Sequence, residues 1–335
     1  MKQFDWDPGT LLEMSGYYWK TCTLHAAVRL DIFSAIGHET LTAARINNML
    51  TADLRGLTML LNALCAMELL IKKGDTYTNT EPAKTFLCKS SEHYIGFMIM
   101  HHFHLVESWH HMDQAVKQGK PVEEKDMFSD EERRESFLMG MFNIGMAAAP
   151  QAARAVDLTG CRRLLDLGGG PGTFAIHFCM LNPELKAAVY DLGTTRPFAL
   201  QTIDRFGLSD RVEFISGDYT RDKMDDIGEF DAAWLSHILH GEGPGQALDI
   251  IQKTVAALKP GSPILIHEFI LDNAMDGPLF PALFSLNMYL RTPDGRSYSQ
   301  GQLTDMLARC GVTEIKRLDF TGPTQSGILM GTTST

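Results

Sequence analysis

Arg163-Leu164-Leu165-Asp166-Leu167-Gly168-Gly169-Gly170-Pro171-Gly172-Thr173 is the stretch that decides the fold. A short apolar run ends on a carboxylate and passes directly into four glycines within five residues. The run reads as a buried strand. Glycines let the chain turn tightly and let a ligand approach the backbone. Residues 172–181 read as the following helix, whose first N–H groups have no partner within the helix and point at whatever lies above the loop. Two ligand classes use this arrangement. A dinucleotide site wants Gly-x-Gly-x-x-Gly/Ala. Counted from Gly168, the sixth position is Thr173, which breaks that pattern. The spacing present is Asp-x-Gly-x-Gly-x-Gly, at positions 166, 168, 170 and 172.

Downstream, strand-like and helix-like runs alternate. Strands are expected at residues 163–166, 186–191, 211–216, 229–236, 263–271, 314–319 and 326–332, and helices at 172–181, 195–206, 245–258 and 300–310. Such alternation gives a doubly wound, mostly parallel sheet that binds ligands at the carboxyl ends of its strands. Asp191 ends the second strand, where a carboxylate can accept two ribose hydroxyls. Asp218 follows the third in Ser216-Gly217-Asp218-Tyr219, on the side of a base, and Tyr219 can stack on a purine. Singly, each Asp is more often a turn residue or strand-end cap. Together with the loop, they resemble the cofactor site of class I S-adenosylmethionine methyltransferases. In that resemblance Asp166, Gly168, Gly170 and Gly172 form motif I, and the acidic residue orders the amino-acid end of the cofactor.

Upstream, the pattern changes. Residues 11–32, 40–50 and 55–70 read as helices, with Thr51-Ala52-Asp53 as a helix start. Residues 69–78 read as strand, Gly-Asp turn and strand. Three helices and a hairpin make a winged helix, a module that often binds DNA. Residues 1–112 carry nine Lys/Arg against eleven Asp/Glu, and the candidate recognition helix has Arg55 as its only basic residue. A groove-reading helix needs polar and basic side chains, so this module is read as a dimerisation domain. The next helix, at residues 94–119, holds His101, His102, His104, His110 and His111. They point in several directions on a 3.6-residue period, and no carboxylate pattern completes a metal site. No metal is expected. Residues 121–135 read as a charged, solvated connection, followed by a helix at 137–158.

Composition narrows the function class. The chain has 335 residues and a formal charge of −11, with 44% hydrophobic and 21% charged residues. That charge argues against a nucleic-acid partner. No apolar run approaches the roughly 20 residues needed to span a bilayer, and no signal-peptide core is present, so a cytoplasmic protein without membrane contact is expected. The six cysteines are scattered, without a Cys-x-x-Cys pair. Two domains are expected: a winged-helix dimerisation domain over 1–120 and a Rossmann-like α/β domain over 121–335, with its core at 160–335.

Nearly the whole chain resembles the small-molecule O-methyltransferases that carry an N-terminal winged-helix dimerisation domain, the caffeic acid and hydroxyindole type and their bacterial relatives. The resemblance rests on Leu30-Asp31-Ile32-Phe33, the hairpin after Leu69-Leu70, Leu165-Asp166-Leu167-Gly168-Gly169-Gly170, Tyr190-Asp191-Leu192, Gly217-Asp218-Tyr219 and Leu239-His240. It implies S-adenosylmethionine as cofactor, a homodimer, and a small aromatic or enolic hydroxyl as acceptor, methylated by in-line displacement. It implies His240 as general base, with His237 as the second choice, and Glu268 as the acid that orients it. The second acid of the family falls at Ser297, and the Lys that relatives set near adenine is Ser236. Trp109, Met141, Phe284 and Asn287 are the expected substrate walls, with Phe137, Phe142 and Met288 nearby in sequence; for any one apolar residue, core packing is the simpler reading. Two alternatives are carried: a carbon methyltransferase of the same fold on a pigment- or quinone-like substrate, and a cofactor-gated DNA-binding sensor.

Overall fold

The computed structural model describes residues 6–122, 131–224 and 226–334. Its packing divides into two units, Met1–Val106 with Asp130–Asn143, and Glu107–Ser129 with Ile144–Thr335. The sequence suggests one boundary at residue 120. The packing draws it differently, because two helices each run from one unit into the other.

In the first unit, the stretch read as one helix over 11–32 is three: α1 (Pro8–Ser15), α2 (Tyr17–Arg29) and α3 (Ile32–Ile36). Gly16 separates the first two, and Asp31 turns the chain with φ of +58°. Then come β1 (Leu41–Thr42), α4 (Ala43–Leu50) and α5 (Leu54–Ala66). Thr42 and Asp53 accept the N–H groups of Arg45 and Gly56 at 3.3 and 2.8 Å, which fixes both helix starts. The hairpin β2 (Leu70–Lys73) and β3 (Thr76–Asn79) joins β1 in an antiparallel sheet ordered β1-β3-β2, followed by α6 (Glu81–Leu87). Leu57, Leu61 and Leu64 of α5 are buried with Ile32, Phe33, Ile46 and Tyr77, so that helix spends its apolar face on the core.

The stretch read as one helix over 94–119 is α7 (Gly96–His110) and α8 (Met112–Gln118), parted at His111. Most of the charged connection at 121–135 lies outside the described residues. From Glu131 the chain is already helical, as α9 (Glu131–Ala155), which starts earlier than the apolar pattern suggests.

The second unit is built on β4 (Arg163–Leu167), β5 (Lys186–Asp191), β6 (Val212–Ser216), β7 (Ala232–Ser236), β8 (Pro263–Glu268), β9 (Val312–Arg317) and β10 (Gly327–Thr333). Their order is β6-β5-β4-β7-β8-β10-β9, and only β10 runs against the rest. Successive residues of the central strands serve opposite layers. Leu164, Val189, Trp234 and Leu265 pack with α10 (Thr173–Leu181) and α11 (Arg196–Arg205). Leu165, Ala188, Leu235 and Ile266 pack with α12 (Pro244–Ala256) and α14 (Gln300–Arg309). A sheet covered on both faces needs continuous apolar strands, which is why these read as runs and not as alternation. Two helices were not visible in the sequence pattern: α6 in the first unit and, in the second, α13 (Leu279–Arg291), apolar around much of its surface. The strand order reverses between β4 and β7, so the ligand crevice of such a sheet opens there. Among the described residues, no helix is long and apolar enough to cross a membrane.

Candidate active site

The glycine loop joins β4 to α10 beside that crevice. Gly168, Gly170 and Gly172 have φ of +64°, +54° and +80°, a region that side chains disfavour. A Cβ on Gly168 would also strike Ile238 and come within 3.2 Å of the Tyr219 ring, whereas Gly170 borders open space. The loop is therefore shaped by its backbone and leaves room above it. Asp191 clamps it from the end of β5. One carboxylate oxygen takes the Gly170 N–H at 2.8 Å, and the other takes the Leu192 N–H at 2.7 Å and the Thr195 hydroxyl at 3.0 Å.

Asp166 is fully buried. Its Oδ2 accepts the Ala175 N–H at 3.2 Å, and its Oδ1 has no partner. Burial, helped by the negative charge of Asp191 and opposed by the Ala175 hydrogen bond, lifts its carboxyl to about 7. An orphaned buried carboxylate oxygen is unfavourable by itself and suits a cationic ligand group such as an ammonium. Asp218 Oδ1 takes the backbone N–H and hydroxyl of Thr220 at 3.0 and 2.5 Å. The Asp218 N–H donates to Asp222, which also holds the Tyr190 hydroxyl at 2.8 Å. Burial pushes the Tyr219 phenol far up, so it stays neutral. Three of the carboxylates foreseen for a cofactor thus stand at successive strand ends, and the unpartnered oxygen and open glycine loop fit S-adenosylmethionine. Ser236 ends β7 as expected, but its hydroxyl is engaged with His267 Nδ1 at 2.9 Å.

The 3₁₀ turn Leu239–Gly241 follows β7 and carries His240. Glu268, at the end of the adjacent β8, fixes this turn. Its Oε1 accepts the N–H groups of Leu239 and His240 at 3.0 and 3.3 Å, and its Oε2 takes the Phe269 N–H at 3.2 Å and His240 Nδ1 at 2.8 Å. Burial alone pushes the Glu268 carboxyl up. The attraction of His240, joined by His237, outweighs it and holds the group well below the usual carboxylate range. An ionised Glu268 requires a proton on Nδ1 of His240, which leaves Nε2 as the basic nitrogen. The turn is braced from below: the Arg296 N–H donates to His240 O at 2.8 Å, and the Tyr298 hydroxyl donates to Glu242 O at 2.5 Å. Gly295 has no space for a side chain, since a Cβ there would lie 2.7 Å from His240 O.

Ser297 stands where the resemblance leads one to expect a second acid. It is buried, and its hydroxyl donates to Pro281 O at 2.8 Å. The foreseen substrate walls divide between the two units. Within the second, Phe284 sets its ring edge-on to His240 at 4.7 Å, and the Trp109 indole donates to Asn287 Oδ1 at 3.0 Å. Met141 belongs to the first unit, as do Phe137 and Phe142. Phe269 was missed: its ring stacks near His240 at 5.9 Å and lies against Phe284 at 4.5 Å. Its signal was its position directly after Glu268.

Among the described residues, one group of three or more metal-type donors gathers, namely His237, His240 and Glu268. The α7 histidines form no such group. His101 packs on Phe137, and the His110 and His111 rings meet each other at 5.2 Å. Glu268 already accepts four hydrogen bonds. A cation there would have to displace the His240 Nδ1–H, so the trio reads as a hydrogen-bonded dyad with a neighbour.

Comparison with known proteins identifies the family. Residues 109–313 match the O-methyltransferase domain, and residues 12–89 match the O-methyltransferase dimerisation domain. The 3-hydroxy-5-methyl-1-naphthoate 3-O-methyltransferase of Streptomyces sahachiroi is 31% identical over 330 residues, 97% of this chain and 95% of that one. The tetracenomycin polyketide synthesis 8-O-methyl transferase of Streptomyces glaucescens is 28% identical, over 94% of each chain. In fold, the chain is similar to human N-acetylserotonin methyltransferase solved in complex with S-adenosylmethionine, with a TM-score of 0.86, 23% identity, and coverage of 99% of this chain and 100% of that one. The chain belongs to the S-adenosylmethionine-dependent small-molecule O-methyltransferases that carry an N-terminal dimerisation domain.

Proposed function

We propose that this O-methyltransferase acts on a hydroxyl of a small aromatic or enolic acceptor, with His240 as general base and Glu268 as its orienting acid. The observation that carries the reading is the 2.8 Å contact between His240 Nδ1 and Glu268 Oε2, beside Phe269 and Phe284. S-adenosylmethionine, when bound, supplies an electrophilic methyl group on a sulfonium. Asp166, the loop of Gly168, Gly170 and Gly172, Asp191, Asp218 and Tyr219 would hold it, with Ser236 at the edge of that set. Asp166 Oδ1 would meet the ammonium. The chain's own tasks are alignment, exclusion of water and proton removal. His240 Nε2 takes the hydroxyl proton, and the imidazolium that results pairs with Glu268. Phe284 and Phe269 flank that nitrogen with apolar rings, and Asn287, held by Trp109, orients a polar edge of the acceptor. Of the alternatives raised by the sequence, oxygen rather than carbon is the acceptor that the family supports.

The working form we propose is a cytoplasmic homodimer joined through the N-terminal domain, without nucleic acid or membrane as partner. Its support is the match of residues 12–89 to a dimerisation domain and a first unit that exposes Leu12, Tyr18 and Trp19 beside an open groove of about 440 Å³ lined by α2 and α7. The unpaired state of all six cysteines supports the compartment.

Glu268→Gln tests the dyad. The amide presents N–H to His240 Nδ1, which forces the proton onto Nε2 and removes the base without removing either ring. The expected result is a fall in kcat of about 10²–10⁴-fold with a phenolic acceptor and little change in acceptor KM. A full rate in this variant would detach Glu268 from the reaction.

A further inference from the structure

His237 takes no part in the steps above, yet it stands against the carboxylate that orients the base. Its Nδ1 lies 3.6 Å from Glu268 Oε2, the same oxygen that holds His240 Nδ1 at 2.8 Å. At 3.6 Å a neutral imidazole makes no hydrogen bond, and His237 Nδ1 has no other partner. The backbone is committed to this placement. His237 has φ of +57°, a left-handed conformation uncommon outside glycine that persists only where the surrounding structure holds it. Its N–H donates to His267 O at 2.9 Å, and its ring lies 4.2 Å from Phe269 and 4.4 Å from His267.

Three titratable groups face His237: Glu268 and His267 from β8, and His240 from the 3₁₀ turn. His267 is fixed in its neutral form. Ser236 and Ser326 occupy its two ring nitrogens, each at 2.9 Å, and burial holds it well below the ordinary imidazole range. Glu268 is therefore the anion within reach of a protonated His237.

We propose that His237 is a positioning residue that acts on His240 through their shared carboxylate. Neutral, it leaves Oε2 to the base. Protonated, it draws Oε2 toward its own Nδ1–H, and His240 loses the partner that fixes its tautomer. Burial holds His237 below the ordinary imidazole range, against the pull of Glu268, so the neutral form prevails around pH 7. Activity then requires two neutral histidines, and the acid limb of the rate profile records two protons. The inference rests on His240 being the base.

The test is the dependence of log kcat on pH, read between about pH 5 and 8, where imidazoles titrate, with cofactor and acceptor saturating. Native enzyme should show an acid limb steeper than one proton, approaching a slope of about 2 for two required deprotonations. His237→Asn removes the titration and keeps a side chain that tolerates the left-handed backbone. Its slope should fall to about 1, with a high-pH plateau well above that of His240→Ala. A native slope of one proton, or an unchanged slope in His237→Asn, would overturn the role of His237. A His240→Ala plateau equal to native would instead overturn the base. Should His237→Asn not fold, a histidine-labelled NMR titration of the native enzyme with S-adenosylhomocysteine decides the matter. The His237 resonance should titrate and shift that of His240; a flat His237 resonance would reject the proposal.

Discussion

His240→Ala should lower kcat by about 10²–10⁴-fold, the usual share of a positioned general base. Binding of S-adenosylhomocysteine should change little, because the cofactor carboxylates lie at the carboxyl ends of β4 and β5 and just after β6, and not on the 3₁₀ turn. The glycine loop and Asp191 make no hydrogen bond to the His240 side chain. The residual activity carries a second signature. Without a base, the reactive species is the acceptor's phenolate, so the rate should climb with pH toward the acceptor's own pKa, near 10 for a simple phenol. More acidic phenols should be rescued most. Isothermal titration and steady-state assays over an acceptor series check both halves. A variant that loses cofactor affinity along with rate would point to a disturbed fold instead of a missing base.

Asp166→Asn should weaken S-adenosylhomocysteine binding by about ten- to a hundredfold, the price of one buried charge-assisted contact. The sign of its pH dependence is distinctive. Burial first, then Asp191, raises the Asp166 carboxyl to about 7 in the free protein. An ammonium favours the ionised form, so native affinity should rise with pH by nearly tenfold per unit below about 7 and then level off. Asp166→Asn should lose that slope. Stability moves the other way. A raised carboxyl stabilises the fold at low pH and withdraws that contribution as pH climbs through about 7. Free Asp166→Asn should therefore match or exceed native thermal stability at pH 8 while binding worse. Equal binding in the two proteins at that pH would remove Asp166 from the cofactor site.

Much of this site is legible in the sequence because each part has a local cause. Gly168 and Gly170 demand backbone that only glycine adopts readily, and Asp191 and Asp218 end or follow apolar runs. Glu268 lies inside the apolar run read at 263–271 and is singled out by the family resemblance, not by a local signal. What escaped has a tertiary cause. α13 is apolar on most sides, so its period is faint, yet it carries Phe284 and Asn287. The hydroxyl of Ser236 turns to His267, a residue on the neighbouring strand that spacing does not link to it. The break at Asp31 comes from one positive φ inside a continuous helical pattern, and the pull of Lys89 at 3.1 Å on its carboxylate is a long-range contact. The brace from Arg296 to His240 likewise joins segments far apart in the sequence.

Under the proposed function, His240 Nε2 is the atom that receives the acceptor's proton. The most direct measurement is a structure of the enzyme with S-adenosylhomocysteine and a phenolic acceptor. The acceptor oxygen should lie within hydrogen-bond reach of His240 Nε2, about 2.6–3.2 Å, with Nδ1 still on Glu268. An acceptor hydroxyl seated on another group, with His240 turned away from it, would contradict the account.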